Sequence, residues 1–148
     1  MSHLKSEALW LRERSPAELT DWISATMAGT LGIEVIRLGD DLIEATMPVD
    51  HRTHQPFGML HGGASVAFAE TLGSVAAYLT LPEEKVAVGL EINANHLRSV
   101  RDGKVIGRAT PIHIGRMTQV WQIDIRDEAD RRVCISRLTM AVIDKPSR

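Results

Sequence analysis

Between Ala64 and Leu81 the chain runs ASVAFAETLGSVAAYLTL, a stretch that is apolar on almost every side. Ser65, Glu70, Thr71, Ser74 and Thr80 are the polar interruptions. Alanine dominates and β-branched residues are few, so the segment predicts a helix of about five turns. A helix with so little polar surface has to be covered on most sides. Pro82 ends it.

The flanking patterns are different. Ser15-Pro16-Ala17-Glu18 reads as a helix start, with Ser15 as cap, proline in the first turn and Glu18 closing a capping box. Leu19, Trp22, Ile23 and Met27 follow at helical spacing, and Gly29 and Gly32 are stop signals. Two period-2 runs, Ile33 to Leu38 and Leu42 to Met47, flank Gly39-Asp40-Asp41 and predict a hairpin that Pro48 ends. After the long helix, four strands are expected, at about Lys85–Leu97, Lys104–Ile114, Thr118–Arg126 and Arg132–Ile143. Asp102-Gly103 is a tight-turn signal. In the third of these strands Gln119, Trp121, Ile123 and Ile125 share one face. The order predicts an α+β domain, an antiparallel sheet wrapped on one long central helix.

Composition narrows the reading. The 148 residues suit one domain spanning 1–148, with residues 1–30 as an N-terminal helical segment. With 44% hydrophobic and 24% charged residues, the chain is neither disordered nor a coiled coil. A net charge of −2 gives no reason to expect nucleic acid or an acidic membrane as partner. No run reaches the roughly 18 apolar residues of a membrane helix, and Met1 to Arg14 lacks a signal-peptide apolar region. Cys134 is the single cysteine, which points to a reducing, cytoplasmic setting.

The candidate chemistry sits at the start of the long helix. Gly62 and Gly63 let a ligand approach the backbone, and the first helical turn offers free N–H groups backed by the dipole. That combination suits an oxyanion. Glu70, two turns on, is a carboxylate in an apolar wall, costly there unless it is partnered or used. Ser74 shares its face. A structural role for Glu70 and a hinge role for the glycines remain open on spacing alone. His51, His54 and His61 come without a cysteine cluster or an H-E-x-x-H pattern, so no metal is expected. Cys134 falls in a strand pattern and reads as core rather than nucleophile. Arg98, Arg101, Lys104, Arg108 and Arg116 gather near strand ends, as a solvated rim or a phosphate-docking one.

Gln55, His61-Gly62-Gly63 and Glu70, in that spacing, resemble the hotdog-fold acyl-CoA thioesterases that use a helix carboxylate. Met47-Pro48-Val49-Asp50, the run Arg52 to Gly58, Leu60 to Ser65, Ala69 to Ser74, Glu91 to His96 and His113-Ile114-Gly115-Arg116 are similar to a narrower branch. That branch holds the 1,4-dihydroxy-2-naphthoyl-CoA and enterobactin-pathway proofreading thioesterases. The resemblance covers about Leu31 to Ile143. It implies a hotdog fold, active sites at a dimer interface, and a homotetramer built as a dimer of dimers. By the same resemblance Glu70 is nucleophile or base, the Gly62 N–H and Gln55 amide hold the thioester oxygen, and His61 positions the thioester. Ser74 and His96 contact the acyl group, and Gly63, Thr71, Arg98, His113 and Arg116 are further substrate-binding positions. One departure is Leu97, where close enterobactin-pathway relatives carry a second histidine.

The expected activity is hydrolysis of an aromatic acyl-CoA to free acid and CoA, without cofactor or metal. A thioester is already activated and its thiolate leaves readily, so one carboxylate and an oxyanion site suffice. A non-catalytic acyl-CoA-binding protein and a thioesterase acting on an acyl-carrier protein are the competing readings. A hotdog dehydratase fits less well, because the helix lacks a matching histidine and acid pair.

Overall fold

The computed structural model describes residues 9–147. Its elements are α1 (Pro16–Ile23), α2 (Met27–Thr30), β1 (Glu34–Leu38), β2 (Ile43–Pro48), α3 (Gly62–Leu79), β3 (Lys85–His96), β4 (Lys104–Ile114), β5 (Thr118–Asp127) and β6 (Arg132–Asp144). All six strands form one antiparallel sheet in the order β1-β2-β4-β5-β6-β3. The sheet curls around α3, whose Phe68, Ala69, Leu72, Ala76 and Leu79 are essentially sealed from solvent.

The expected alternation on β5 holds: Gln119, Trp121, Ile123 and Ile125 are all buried, at 0–1% exposure. Each large apolar side chain buried in this way stabilises the fold by about 1.5–3 kcal/mol relative to leaving it exposed. The one polar member of the row is fully satisfied. Gln119 donates to Thr80 Oγ1 at 2.9 Å and accepts from Trp121 Nε1 at 2.9 Å. On β2, Glu44 is held among two guanidinium groups, accepting from Arg37 Nε at 2.9 Å and Arg108 Nε at 2.8 Å. The Arg37 hydrogen bond, with Arg108 behind it, holds this carboxyl below the usual carboxylate range.

Within the N-terminal segment 1–30, the helix begins where Ser15 caps it. Residues 1–8 of that segment lie outside the described residues. Residues 9–14 are not helical but form a strap. Trp10 donates to Gly39 O at 2.7 Å and stacks on Trp121, and Arg12 donates to the carbonyls of Leu81, Pro82 and Lys85 beyond the end of α3. The helix expected to carry Leu19 through Met27 is split. Ser24 Oγ donates to Asp21 O and Thr26 Oγ1 to Ile23 O, each at 2.6 Å. These hydroxyls compete for carbonyls that a continuing helix would use, and Thr26 then caps α2.

β3 is the edge strand that matters. It pairs with β6 on one side and is open on the other, although it is 12 residues long. Val88 and Leu90 on it are 44% and 61% exposed. A long, partly apolar open edge is a surface that a folded chain normally covers.

The close packing of sheet on helix depends on Gly107 in β4. A Cβ there would stand 2.8 Å from Phe68 Cζ and 3.2 Å from Leu72 Cδ2. Phe68 is fully enclosed and has nowhere to retreat. Gly107→Ala is expected to destabilise the protein by about 1–3 kcal/mol through overpacking, read as a lower midpoint in urea unfolding.

Candidate active site

α3 begins at a loop that the chain closes tightly. His54 and Leu60 form an isolated bridge, Gln55 N–H donates to Met59 O at 2.8 Å, and Gly58 turns with φ of 77°. The Gln55 Oε1 accepts the Phe57 N–H, which leaves the amide NH2 as its free end.

His61 is the N-cap. Its Nδ1 accepts the Gly63 N–H at 2.7 Å, so the neutral ring carries its proton on Nε2. The remaining first-turn donors are then accounted for. Ala64 and Ser65 N–H both go to His61 O, at 3.0 and 3.1 Å. The Gly62 N–H has no partner among the described residues. Of the two glycines singled out by sequence, Gly62 is therefore the one that offers an N–H, and Gly63 has spent its own on the cap.

Three neighbouring hollows surround this helix. The largest, about 720 Å³, is lined by Glu70, Thr71 and Ser74 of α3 together with Trp22, Met27 and Tyr78. Of the four apolar residues at helical spacing, Leu19 and Ile23 are buried, whereas Trp22 and Met27 are 53% and 61% exposed and face this cavity. Trp22 stacks on Tyr78 with ring centres 4.4 Å apart, and the Arg12 guanidinium lies 3.9 Å above the Tyr78 ring. The result is an aromatic wall with a cation over one of its rings.

Glu70 is half-buried at the β3 side of this cavity. Its Oε1 presses against the backbone of Gly89, beside a bulge between Gly89 and Glu91. No described residue pairs with the carboxylate by hydrogen bond or salt bridge. Thr71 donates its hydroxyl proton to Ala67 O at 2.7 Å, whereas the Ser74 hydroxyl is unengaged.

A second hollow, about 410 Å³, lies at the α3 N-terminus and gathers Gln55, Gly62, Ser65, His96 and Arg98. The His96 ring packs on Gly62, 3.0 Å from where a Cβ would stand. A third, about 290 Å³, takes the His61 ring together with Met27 and Ala67. Within one chain, then, Glu70 and Ser74 stand apart from Gln55, Gly62 and His96. Gly62 and Glu70 are about 12 Å apart along the helix axis.

His113 and Arg116 line none of these hollows. They sit exposed at the β4–β5 turn, at the opposite end of the sheet from Arg98. Arg108 leaves the supposed rim altogether, because Glu44 holds it on the outer face. Cys134 is fully buried, and burial with Asp124 nearby pushes its thiol up to about 11. That is an inert core cysteine. Among the described residues no group of histidine, cysteine and carboxylate side chains could hold a metal, and no helix is long and apolar enough to cross a membrane.

Residues 57–134, which include α3 and strands β3 to β5, match the thioesterase superfamily. The chain belongs to that superfamily. The proofreading thioesterase EntH of Cronobacter turicensis is 55% identical over 91% of this chain and 98% of that protein. The 1,4-dihydroxy-2-naphthoyl-CoA hydrolase of Escherichia coli is 53% identical over 91% of this chain and 99% of that protein. A thioesterase structure from Haemophilus influenzae superposes with a TM-score of 0.90 at 59% identity, covering 92% of this chain and 95% of that one. The six-stranded sheet on its central helix is thus the hotdog fold of this superfamily, and the chain is a thioesterase.

Sequence reasoning missed Gly89, Trp22, Met27 and Tyr78. Gly89 had a possible signal, a lone glycine inside a strand pattern, which often marks a bulge or a close approach. In this thioesterase a Cβ at Gly89 would fall on Glu70 Oε1. Gly89→Ala is expected to displace the carboxylate and lower kcat/KM at least about 10-fold, while the unfolding midpoint stays near wild type. Steady-state assay and thermal unfolding of the same preparation check both halves.

Proposed function

We propose that this thioesterase hydrolyses an aromatic acyl-CoA to the free acid and CoA, with Glu70 as the group that attacks or activates water. The observation that carries the reading is the large cavity itself. It places one unpaired carboxylate beside an aromatic wall of Trp22 and Tyr78, with Ser74 free to meet a ring hydroxyl. The relative named 1,4-dihydroxy-2-naphthoyl-CoA hydrolase supports an aromatic acyl group.

In this reading a thioester oxygen rests on the Gly62 N–H and the Gln55 amide, and the His61 Nε2–H steers the thioester. Glu70 takes a proton from water as its oxygen adds to the carbonyl carbon. The tetrahedral oxyanion collapses, the C–S bond breaks, and the proton passes to the departing CoA thiolate. If Glu70 attacks directly, water hydrolyses the resulting anhydride, and the same carboxylate is still required. Gly63 and Thr71 shape the backbone and wall, Arg98 at the second hollow meets the CoA moiety, and His113 and Arg116, at the other end of the sheet, are substrate-binding positions only if a second chain brings them to the site. No cofactor enters. A single cysteine suits a reducing, cytoplasmic setting.

The separation of Glu70 from Gly62 within one chain supports a site made by two chains. An antiparallel join of two β3 edges about their midpoint brings the Glu70 end of one strand beside the Gly62 end of the other. It also covers Val88 and Leu90 and brings one chain's Ser74 toward the other's His96. A dimer of dimers is the assembly we expect.

Release of thiol from benzoyl-CoA tests the reaction. Glu70→Gln, isosteric but unable to act as base or nucleophile, is expected to lose at least 10²-fold in kcat with the fold intact. Retention of near wild-type turnover rejects the role, and ligand binding without thiol release by wild type favours the acyl-CoA-binding alternative. The same assay on acyl-carrier thioesters distinguishes the carrier alternative.

The two-chain site has its own test. Glu70→Gln and Gln55→Ala chains, each nearly inactive alone, are expected to regain activity when co-expressed as mixed dimers. Mixed dimers with no activity above the sum of the parents contradict it.

A further inference from the structure

Ser65 is 2% exposed, one helical turn beyond Gly62. Every other buried polar side chain among the described residues is hydrogen-bonded. Thr53, Thr80 and Ser136, for example, each donate to a backbone carbonyl at 2.8 Å. The Ser65 hydroxyl has no such partner. The reason is local. A helical serine usually donates to the carbonyl four residues back, which here is His61 O. That oxygen already accepts two N–H groups, from Ala64 and from Ser65 itself. Its two lone pairs are taken.

The hydroxyl is therefore directed elsewhere. No side-chain polar atom sealed from solvent lacks a partner among the described residues, so the unpaired Ser65 oxygen opens onto the hollow it lines. That hollow also holds the free Gly62 N–H, the Gln55 amide and His96. Residues three apart share a helix face, and helical side chains lean toward the N-terminus. The Ser65 hydroxyl thus leans over the Gly62 N–H. No carboxylate lines the hollow, and its one charged member is Arg98. Several donors around a hollow that no carboxylate lines suit an oxygen that gains negative charge.

We propose that Ser65 is a further catalytic residue, whose hydroxyl donates a hydrogen bond to the thioester oxygen beside the Gly62 N–H. The proton stays on Ser65 throughout, and no covalent bond to it forms. The proposal rests on the thioester hydrolysis argued above.

The test uses Ser65→Ala and Ser65→Cys in the full chain with benzoyl-CoA. Ser65→Ala is expected to lower kcat about 10²-fold, with KM and melting temperature little changed, because the lost donor acts on charge that develops in the transition state. Ser65→Cys, close in size and a weak donor, is expected to fall between. A hydroxyl that only fills space predicts wild-type kcat in both variants, and that result overturns the proposal. A second readout does not need turnover. Phenacyl-CoA, an inert ketone analogue, is expected to show a lower carbonyl stretching frequency on wild type than on Ser65→Ala. Equal frequencies overturn the role of Ser65. Absence of thiol release by wild type, with the frequencies still different, would instead count against the proposed reaction.

Discussion

An 18-residue helix with almost no polar face has to be covered on all sides, and α3 organises the molecule through that requirement. The sheet supplies most of the cover by curling, with Gly107 letting β4 approach Phe68. The strap at residues 9–14 covers the C-terminal end, where Arg12 ties three carbonyls just past the helix. What remains uncovered is the face that carries Glu70, Ser74 and Tyr78, which borders the large cavity. The cavity is thus the place where the sheet fails to close over its own helix.

A carboxylate on that face carries a cost that the fold does not offset locally. Among the described residues Glu70 has no salt-bridge partner, in contrast to Glu44, where two guanidinium groups answer the charge. Both are glutamates in partly enclosed positions of one small domain. The difference is that between a group held by the structure and a group left available to a ligand.

The sheet and α3 were legible because their signals are long and periodic. The four strands after the helix lie within a residue or so of their expected bounds, and β5 alternates as its sequence does. The N-terminal helix was overextended because Leu19, Trp22, Ile23 and Met27 keep helical spacing across a break made by Ser24 and Thr26. Spacing reports which residues could share a face; it does not report whether that face meets core or cavity. Trp22 and Met27 show the difference. Within the candidate site, Glu70 and the helix start were legible as chemistry at an unusual place. Spacing alone did not say which N–H is free; the resemblance pointed to Gly62, and the physical reason is that the His61 ring takes the Gly63 N–H. Gly89 showed only as a lone glycine in a strand pattern, and the unsatisfied Ser65 did not show at all, because it is defined by what a saturated neighbour leaves vacant.

Two residues of the cavity wall have a provenance separate from the rest of the cavity. Trp22 and Met27 come from α1 and α2, which contribute no strand to the sheet. The helix start, the bulge at Gly89 and the carboxylate belong to the sheet and its central helix. Changes in the short N-terminal helices can therefore reshape the chamber without shifting the groups that surround Glu70. A scaffold divided in this way lets a lineage diversify what it accommodates while its reactive geometry is inherited unchanged.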